Sequence, residues 1–536
     1  MKKKILSIMT SAAMTLSVLS AVPVNAEELY VPNVVIASDS LSGSFSITEL
    51  NGVVSGNIYA NDYRSNYGSV VNSYLNENED GTLTRLEYID GSVIVETYEK
   101  DGTPVSSDSI TPELDIFGGA FFGEQYNFLV FGQVNSSESD DTEVLRIVKY
   151  SKDWEKADSL SIYGANTYIP FDAGSLRMTE TGGKLYIHTC HEMYESEDGY
   201  NHQANMTFVV NQEDMTEEDS FYDVMNISVG YASHSFNQYI QTDDDYIYRV
   251  DHGDAYPRGI SITKCSASGS VTNVSYTIPV EFAGSIGNNY TGARVGGFEL
   301  GNNNCIIAYS TVAQADEPSS CHNIKIAVTD KEFENTEIIT FTDYEESDGM
   351  SVGTPHLVKF SDSEFLLMWY EHSSNESTDV IKYVTIDENG AMTSDIYSDS
   401  TSSVSDCHPV YCSDGLVRWY VTDGSAPLLY AVDPLALDGV ENEPEATDPV
   451  VTTTIPNEPT ETTTTTVTSD ISDTDYMIGD ANLDGVLNVR DCAYIAHALV
   501  NGIVDTLPST SDYNQDGRIN VRDCAAIAQF LINSGF

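Results

Sequence analysis

Short β-rich runs recur at a nearly constant spacing over the first 440 residues of this chain, and they restrict its possible folds more than any other feature. Five runs start at residues 184, 245, 305, 365 and 416, which gives steps of 61, 60, 60 and 51 residues. Each run follows a polar or glycine-containing turn. The runs are Lys184–His188, Asp245–Arg249, Cys305–Tyr309, Phe365–Trp369 and Leu416–Tyr420. Such regular spacing is typical of an architecture that repeats one antiparallel unit.

Further runs extend the series and fill the space between its members. Ser92–Glu96 and Tyr126–Val130 come earlier in the chain, and Asn323–Val328 followed by Glu337–Phe341 forms a strand pair between two runs. Four strands in about 60 residues predict a mainly β fold, a β-propeller of six or seven four-stranded blades over residues 27–439. One such sheet cannot bury both faces alone, whereas radially packed blades cover one another. A pair of β-sandwiches and a β-helix are the competing architectures.

The first 26 residues have the pattern of a secretory signal peptide. Lys2, Lys3 and Lys4 precede an apolar run, and a small-residue cleavage pattern ends at Ala26. A membrane anchor is the alternative, but Ser and Thr interrupt the run and Pro23 ends it. No later stretch reaches the ~20 apolar residues of a membrane span. We therefore expect a secreted, extracellular protein with no membrane partner.

The charge of the chain excludes one class of partner. Its 24 Lys and Arg residues stand against 83 Asp and Glu residues, a formal net charge of −59. Nucleic acids and anionic membranes would meet repulsion, so we expect neither as a partner.

The eight cysteines include no C-x-x-C pair, which disfavours zinc ribbons and thioredoxin-type chemistry. Several lie in apolar strand-like runs, where a buried thiol is the expected state.

Residues 440–475 differ in composition from everything before them. The segment is rich in Glu, Pro and Thr, with five consecutive threonines at Thr462–Thr466. A tract of this kind has no apolar surface to bury and favours an extended linker between two folded units.

Two twelve-residue loops follow the linker, and both have the oxygen-rich pattern of a calcium-binding loop. Side-chain oxygens occur at loop positions 1, 3, 5, 9 and 12, glycine at position 6, and a backbone carbonyl is expected to complete the coordination at position 7. The first loop supplies Asp480, Asn482, Asp484, Val486, Asn488 and Asp491. The second supplies Asp512, Asn514, Asp516, Arg518, Asn520 and Asp523. The sequence therefore predicts two Ca²⁺ ions, and folding of this segment that depends on them.

Residues 476–536 resemble a type I-like dockerin domain of cellulosome-forming bacteria. No helix pattern precedes either loop, an apolar helix pattern follows each, and the loops repeat at an offset of 32 residues. Position 12 is Asp in both loops, a substitution that dockerins share. The resemblance implies a small all-α domain with two EF-hand-like loops that binds a cohesin on a scaffoldin. Two structural calcium sites without a partner are the alternative.

The resemblance also indicates which residues contact the cohesin. Familiar clostridial dockerins carry a Ser-Thr pair just before the last ligand, whereas this chain has Val489-Arg490 and Val521-Arg522. That departure is similar to ruminococcal dockerins and leaves the cohesin class open. Because the two halves are nearly identical, two binding orientations related by a half-turn are expected.

Polar and aromatic side chains concentrate in the predicted propeller, at positions expected to face one mouth of a central channel. The candidate ligand-binding residues are Arg177, His191, His202, His234, Asn237, His252, Arg258, Arg294, His356 and His408. Tyr194, Tyr256 and Trp369 are candidates for stacking on sugar rings.

Three functions for the predicted propeller remain open from the sequence. It binds plant polysaccharide, the class of ligand that the dockerin resemblance implies; or it is a glycoside hydrolase or polysaccharide lyase; or it is a structural or protein-binding domain. The candidate acids and bases for catalysis are Glu192, Asp251 and Asp254. No H-E-x-x-H, G-x-S-x-G or phosphate-loop motif occurs.

Overall fold

The computed structural model of the chain divides into two compact units, residues 1–443 and 444–536. Within the first unit the structure describes residues 45–57, 68–223, 235–255, 258–285, 288, 290–312, 321–374 and 379–437. Within the second it describes only scattered positions between 481 and 527. The predicted signal peptide, the predicted linker and His234 lie outside the described residues.

Seven antiparallel sheets follow one another along the first unit and form a seven-bladed β-propeller. The first strand of the chain, β1 (Phe45–Glu49), belongs to the last blade. Blade 1 consists of β2 (Ser73–Glu77), β3 (Leu83–Ile89), β4 (Ser92–Tyr98) and β5 (Pro104–Ile110). Blade 2 consists of β6 (Ile116–Phe122), β7 (Asn127–Gly132), β8 (Glu143–Tyr150) and β9 (Lys156–Tyr163). Blade 3 consists of β10 (Thr167–Pro170), β11 (Arg177–Thr181), β12 (Lys184–Glu195), β13 (Asn201–Asn211) and β14 (Thr216–Phe221).

The remaining blades follow the same plan. Blade 4 consists of β15 (Asn237–Thr242), β16 (Tyr246–Gly253), β17 (Gly259–Ser266) and β18 (Ser275–Glu281). Blade 5 consists of β19 (Ala293–Leu300), β20 (Asn304–Val312), β21 (His322–Asp330) and β22 (Thr336–Thr340). Blade 6 consists of β23 (Met350–Val352), β24 (His356–Lys359), β25 (Glu364–Ser373), β26 (Val380–Asp387) and β27 (Tyr397–Asp399). Blade 7 consists of β28 (Val410–Tyr411), β29 (Val417–Val421), β30 (Leu428–Val432) and β1. Short 3-10 turns occur at Glu346–Asp348, Pro434–Ala436 and Ser509–Ser511.

Burial falls from the middle of each blade to its outer edge. In β20 every residue after Asn304 is buried, whereas no residue of the outer strand β5 is. Neighbouring blades pack face against face, so a second strand is covered on both sides and its sequence becomes a continuous apolar run. The core therefore lies between the blades: Ile306 and Ile324 of blade 5 share one cluster with Phe365 and Trp369 of blade 6.

Blades 3 and 6 extend further than the others at one end. Their second strands, β12 and β25, are 12 and 10 residues long. Each pairs with two separate inner pieces, β10 and β11 in blade 3 and β23 and β24 in blade 6. β11 and β24 pair in the same register as the inner strands of the other blades. β10 and β23 pair with the additional residues at the far ends of β12 and β25.

The ring closes through blade 7, which takes strands from both ends of the first unit. β1 pairs antiparallel with β30, from Phe45 opposite Val432 to Glu49 opposite Leu428. Just after β1, the Asn57 N–H donates to the carbonyl of Thr422 at 2.8 Å, and the Thr422 N–H donates to Asn57 Oδ1 at 2.8 Å. The closing blade is therefore complete only when the two ends of the propeller sequence meet.

The predicted propeller is confirmed, and the structure fixes the number of blades at seven. All five runs of the regular series are second strands. Ser92–Glu96 does not belong to that series, because it lies in β4, the third strand of blade 1. The second strand of blade 1 is β3, which is not a continuous apolar run because it contains the charged residues Arg85 and Glu87. The six described cysteines are all buried free thiols, as expected.

Candidate functional site

The inner strands of the seven blades share one register, which places seven residues at the same level of the propeller. In six blades, one backbone N–H···O=C bond closes the hairpin between the inner and second strands, and in blade 3 the pair Thr181 and Lys184 closes it. Four residues before each closing residue lie Tyr74, Gly119, Arg177, Tyr239, Gly297, His356 and His408. We call these seven residues the channel layer, because the inner strands of a propeller line its central channel.

Two members of the channel layer are glycines, and neighbouring strands approach closely there. A Cβ at Gly297 would lie 2.6 Å from Leu357 Cβ of the next blade. A Cβ at Gly119 would lie 3.0 Å from Leu176 Cδ2 and 3.1 Å from the hydroxyl of Tyr74. Blades 2 and 5 therefore contribute no side chain to the layer, which leaves the other five blades to supply its chemistry.

Arg177 supplies the positive charge of the channel layer. Its side chain is partly exposed, and its guanidinium lies over the Tyr239 ring with Cζ 4.9 Å from the ring centroid. One N–H donates to the carbonyl of Leu176 at 3.1 Å. Among the described residues no carboxylate forms an ion pair with Arg177.

The two histidines lie side by side in neighbouring blades. The ring centroids of His356 and His408 are 5.9 Å apart, and His356 Nε2 lies 3.1 Å from the carbonyl of Ser405. Desolvation by the surrounding channel wall lowers the pKa of His408 to about 3, although part of its side chain is exposed, and electrostatic interactions with His356 and Arg177 also lower it. Burial likewise lowers the pKa of His356 to about 4, against a backbone hydrogen bond that raises it. Both imidazoles are therefore neutral near pH 7.

Glu299 of β19 lies two residues after Gly297 of the channel layer, and its carboxyl approaches the imidazole of His408. Its Oε1 is 4.0 Å from Nε2 of His408, and its side chain is 14% exposed while that of His408 is 42% exposed. Burial raises the pKa of Glu299 to about 8, in opposition to the charge of Lys359. Near pH 7 this site therefore holds a protonated carboxyl beside a neutral imidazole.

A second buried carboxyl lies next to the layer, in the connection between blades 6 and 7. Asp406 accepts the Asn72 backbone N–H at 2.9 Å. Burial raises its pKa to about 7, against hydrogen bonds from Ser73 and Asn72. Burial also raises the pKa of the neighbouring Tyr74 to about 12, which keeps its hydroxyl protonated.

Three predicted ligand-binding residues, Arg177, His356 and His408, belong to the channel layer. Arg294 lies on the inner strand β19, nearer its start. Asn237, on the inner strand β15, is buried, receives a bond from the Ser175 hydroxyl and donates to the carbonyl of Val295 at 2.7 Å. The structure thus places Arg177, His356 and His408 at one level of the channel, and it buries Asn237 between neighbouring blades.

The other predicted histidines lie away from the channel layer. His191 is fully buried, with Nδ1 2.7 Å from the Thr167 hydroxyl. His252 is buried between aromatic rings, with Nε2 2.9 Å from the Thr291 hydroxyl. Burial lowers the pKa of each to about 3. His202 contacts Asp198 at 2.9 Å on a partly exposed hairpin end, and the Arg258 guanidinium donates to three loop carbonyls.

The carboxylates predicted for catalysis do not meet in the channel layer. Asp251 is buried between blades 3 and 4, where Oδ1 lies 3.1 Å from His188 Nε2. Asp254 is buried as well. Glu192 is partly exposed, and burial together with the charges of Asp172 and Glu138 raises its pKa to about 7.

Two of the aromatic residues predicted to stack on sugar rings, Tyr194 and Trp369, lie in different blades. Trp369 is 1% exposed in the core between blades 5 and 6, so its ring is covered by protein. The Tyr194 hydroxyl accepts a bond from Asn135 at 3.0 Å. Tyr256 lies outside the described residues.

Sequence reasoning missed Tyr74, Tyr239, Glu299 and Asp406. Tyr74 and Tyr239 could have been found by aligning the blades on the turn between inner and second strands. That alignment puts them in the same column as Arg177 and His408. No such rule identifies Glu299 and Asp406, since their roles depend on which neighbouring blade they approach.

The described residues contain neither a cluster of metal-ligating side chains nor a helix able to span a membrane. No group of three or more His, Cys, Asp or Glu side chains there is arranged to hold a metal ion. Among those same residues, no helix is long and apolar enough to cross a membrane.

The described positions of the second unit form a small apolar core. Ala481, Ile495 and Ile527 are buried in it, with Leu499 and Ile519 packed against them. Ile495 and Ile527 occupy equivalent places in the two sequence repeats, which are offset by 32 residues. Arg518 is exposed. The other eleven predicted calcium ligands, and Val489, Arg490, Val521 and Arg522, lie outside the described residues.

Solved structures with similar folds have diverse functions. They include a prolyl endopeptidase (10% identity, 73% of this chain and 47% of that one, TM-score 0.38). A GH43 protein from Bacillus licheniformis matches at 10% identity over 67% of this chain and 57% of that one, with a TM-score of 0.32. The α-L-arabinofuranosidase of Fusarium graminearum, solved with an iminosugar inhibitor, matches at 12% identity over 65% of this chain and 99% of that one, with a TM-score of 0.34. With TM-scores below 0.5, these similarities assign neither activity nor ligand to this chain.

Sequence comparison gives a family match within the second unit. No curated protein matches the chain significantly. One family model does match, the dockerin type I domain, over residues 478–532. That range contains both oxygen-rich loops and the two buried isoleucines of the second unit. The C-terminal segment of this chain is therefore a dockerin type I domain.

Proposed function

We propose that this protein is a secreted component of a cellulosome-type complex, held there by calcium-dependent binding of its dockerin to a scaffoldin cohesin. The dockerin match over residues 478–532 is the observation that carries the proposal. The basic and apolar pattern of residues 1–26 supports export, and the threonine-rich segment 440–475 supports a tether between the two units.

The two oxygen-rich loops would each hold one Ca²⁺. Their carboxylate and amide oxygens fit a hard cation that takes six to eight oxygen ligands. Asp480, Asn482, Asp484, Val486, Asn488 and Asp491 would hold one ion, and Asp512, Asn514, Asp516, Arg518, Asn520 and Asp523 the other. Bound calcium would compensate the crowded carboxylates and so stabilise the fold that the cohesin recognises.

For the propeller, we propose binding of plant polysaccharide in the central channel. Arg177, Tyr74 and His408 are partly exposed at one level of the channel, so an aromatic ring lies there beside a guanidinium and an imidazole. Sugars are bound by that combination, since each pyranose has an apolar face and a rim of hydroxyls.

Catalysis is the second candidate function, and one specific observation favours it. Glu299, with its pKa raised to about 8, lies 4.0 Å from the neutral imidazole of His408. A protonated carboxyl beside a neutral imidazole is a proton donor next to a proton acceptor, which are the two groups that general acid–base catalysis needs.

Anchoring is tested by titrating the full secreted chain with a panel of recombinant cohesins of different classes in a calorimeter, in CaCl₂ and again in excess EDTA. We expect binding in calcium and none in EDTA. Binding that survives EDTA, or no binding to any cohesin in calcium, would contradict the anchoring proposal.

The propeller is tested by incubating the full chain with a panel of plant polysaccharides and assaying pull-down, reducing ends and unsaturated ends. Pull-down without product supports the binding function. New reducing or unsaturated ends support catalysis. If neither appears on any polysaccharide, the propeller is a structural or protein-binding domain and the polysaccharide proposal fails.

A further inference from the structure

Arg177 differs from four other described arginines in how its charge is compensated. Arg85, Arg146 and Arg418 each pair with carboxylates at 2.7 Å or less. Arg249 is fully buried and is bonded to Thr207, Thr263 and the carbonyl of Val271. Arg177 is only partly buried, and the structure gives it as partners one carbonyl and Tyr239, which contributes its ring and a side-chain hydrogen bond.

Most of the hydrogen-bonding capacity of Arg177 is therefore unused within the described residues. A guanidinium has five N–H donors in a planar fork, and one of them donates to the carbonyl of Leu176. The Tyr239 ring covers one face of the guanidinium, which fixes its plane and leaves the edges for a ligand. Such a fork matches a carboxylate through two parallel bonds.

The surroundings of Arg177 leave its positive charge in place. The titratable groups around it are Tyr74, Tyr239, His356, His408 and Asp406, because its charge acts on the pKa of each of them. The two histidines and the two tyrosines are neutral at pH 7, and burial raises the pKa of Asp406 to about 7. In a chain with 83 acidic residues, this level of the channel is a local positive site.

We propose that Arg177 binds the carboxylate of a uronic acid residue, so that the propeller prefers acidic polysaccharides over neutral ones. One guanidinium matches one monovalent carboxylate. His408, at the same level of the channel, offers a partly exposed imidazole to the sugar hydroxyls. This inference rests on the proposed polysaccharide binding and narrows its ligand class.

The test measures the affinity of the full chain for a galacturonate pentamer and for the same pentamer fully methyl-esterified, which has the same sugar ring without the charge. We expect the acid to bind at least ~10-fold more tightly than the ester, since one charge-assisted bidentate pair is worth about 1.4 kcal/mol or more. Arg177→Gln should bring the two ligands to within about 2-fold of each other, and Arg177→Lys should retain part of the difference. Arg146→Gln is the matched control, because it removes an arginine from a partly exposed ion pair on blade 2 and should leave both affinities unchanged.

The outcomes distinguish a failure of the uronate inference from a failure of the proposed polysaccharide binding. Equal binding of acid and ester by the wild type would overturn the uronate inference and leave polysaccharide binding intact. Binding of neither pentamer and of no polysaccharide would overturn both. An Arg177→Gln protein with an unchanged circular dichroism spectrum and an unchanged preference for the acid would also overturn the inference. A preference abolished by Arg177→Gln and kept by Arg146→Gln supports it.

Discussion

Arg85 Nη1 lies 2.6 Å from Glu96 Oε2 in the buried seam where the propeller closes. The same guanidinium contacts Glu87 at 2.5 Å and donates to the carbonyl of Val53 at 3.0 Å. Glu96 in turn accepts the backbone N–H of Val53 at 2.8 Å. Blade 1 therefore holds the segment that follows β1 through one arginine and one carboxylate, which links ring closure to a buried ion network.

Removing Arg85 should destabilise the propeller strongly. Arg85→Met would leave two buried carboxylates without a counter-charge, and breaking a buried pair in this way costs about 3–5 kcal/mol. The measurement is the free energy of unfolding in urea. Arg146→Met is the control, since its ion pairs on blade 2 are partly exposed and should contribute no more than about 1 kcal/mol. Equal losses in the two variants would contradict a role for the seam in ring closure.

Glu299 should make the propeller less stable as the pH rises. Burial raises its pKa to about 8 in the folded protein, so between about pH 5 and 8 the folded state holds a proton that the unfolded chain has released. Stability falls through that window and the loss is complete above it. Glu299→Gln removes the titration, so the variant should gain a few kcal/mol over the wild type from pH 5 to 8, at about 1.4 kcal/mol per pKa unit.

The groups that face Glu299 do not share its window. Burial lowers the pKa of His408 to about 3 and raises that of Tyr239 above its usual 10, and Lys359 supplies a positive charge. Urea unfolding at pH 5, 6, 7 and 8 measures the effect. Glu332→Gln, at a side chain that is 79% exposed, is the control and should follow the wild type. A Glu299→Gln curve parallel to the wild type would show that this carboxyl is ionised in the folded protein.

The cysteines should be inert in the native protein. Six of the eight are buried free thiols, and burial raises the pKa of Cys305 to about 12 and keeps it from forming the reactive thiolate. Titration of the native chain with a thiol reagent should therefore label at most the two cysteines outside the described residues, Cys492 and Cys524. Full labelling should require denaturant. Rapid labelling of more than two thiols without denaturant would contradict the burial of the six.

Much of the architecture was predictable because second strands are covered on both faces. That burial turns Cys305–Tyr309 and Phe365–Trp369 into apolar runs whose spacing reports the blades. The channel layer was only partly predictable, because inner strands face a neighbour on one side and the channel on the other. His191 and His408 are both polar candidates in the sequence, yet His191 is buried and contacts Thr167 between β10 and β12, whereas His408 is partly exposed at the channel. Which of the two happens depends on contacts that form only in the folded propeller, with Thr167 of the same blade for His191 and with Glu299 of another blade for His408.

The calcium loops should each bind one ion, and both should be needed for cohesin binding. Asp480→Ala and Asp512→Ala remove the first ligand of each loop, so each variant should bind one Ca²⁺ fewer than the wild type and lose most of its cohesin affinity. Calorimetric titration with CaCl₂, followed by titration with a cohesin, measures both effects. Asp475→Ala, just before the first loop, is the control and should change neither. Two ions bound by the Asp480→Ala variant would contradict the predicted ligand set.

The near-identity of the two dockerin repeats should give two interchangeable binding orientations. Asn488-Val-Arg-Asp-Cys-Ala493 recurs identically as Asn520-Val-Arg-Asp-Cys-Ala525, so each repeat presents the same Val-Arg pair. Arg490→Ala and Arg522→Ala should each reduce cohesin affinity about 2-fold, because the intact repeat still binds and only one of two equivalent modes is lost. The double variant should bind at least ~30-fold more weakly, the loss of a buried charged contact worth about 2 kcal/mol or more. Affinities are measured in the same CaCl₂ buffer, with calcium stoichiometry as the control for folding. A single substitution that abolishes binding while two ions remain bound would show that the domain docks in one orientation only.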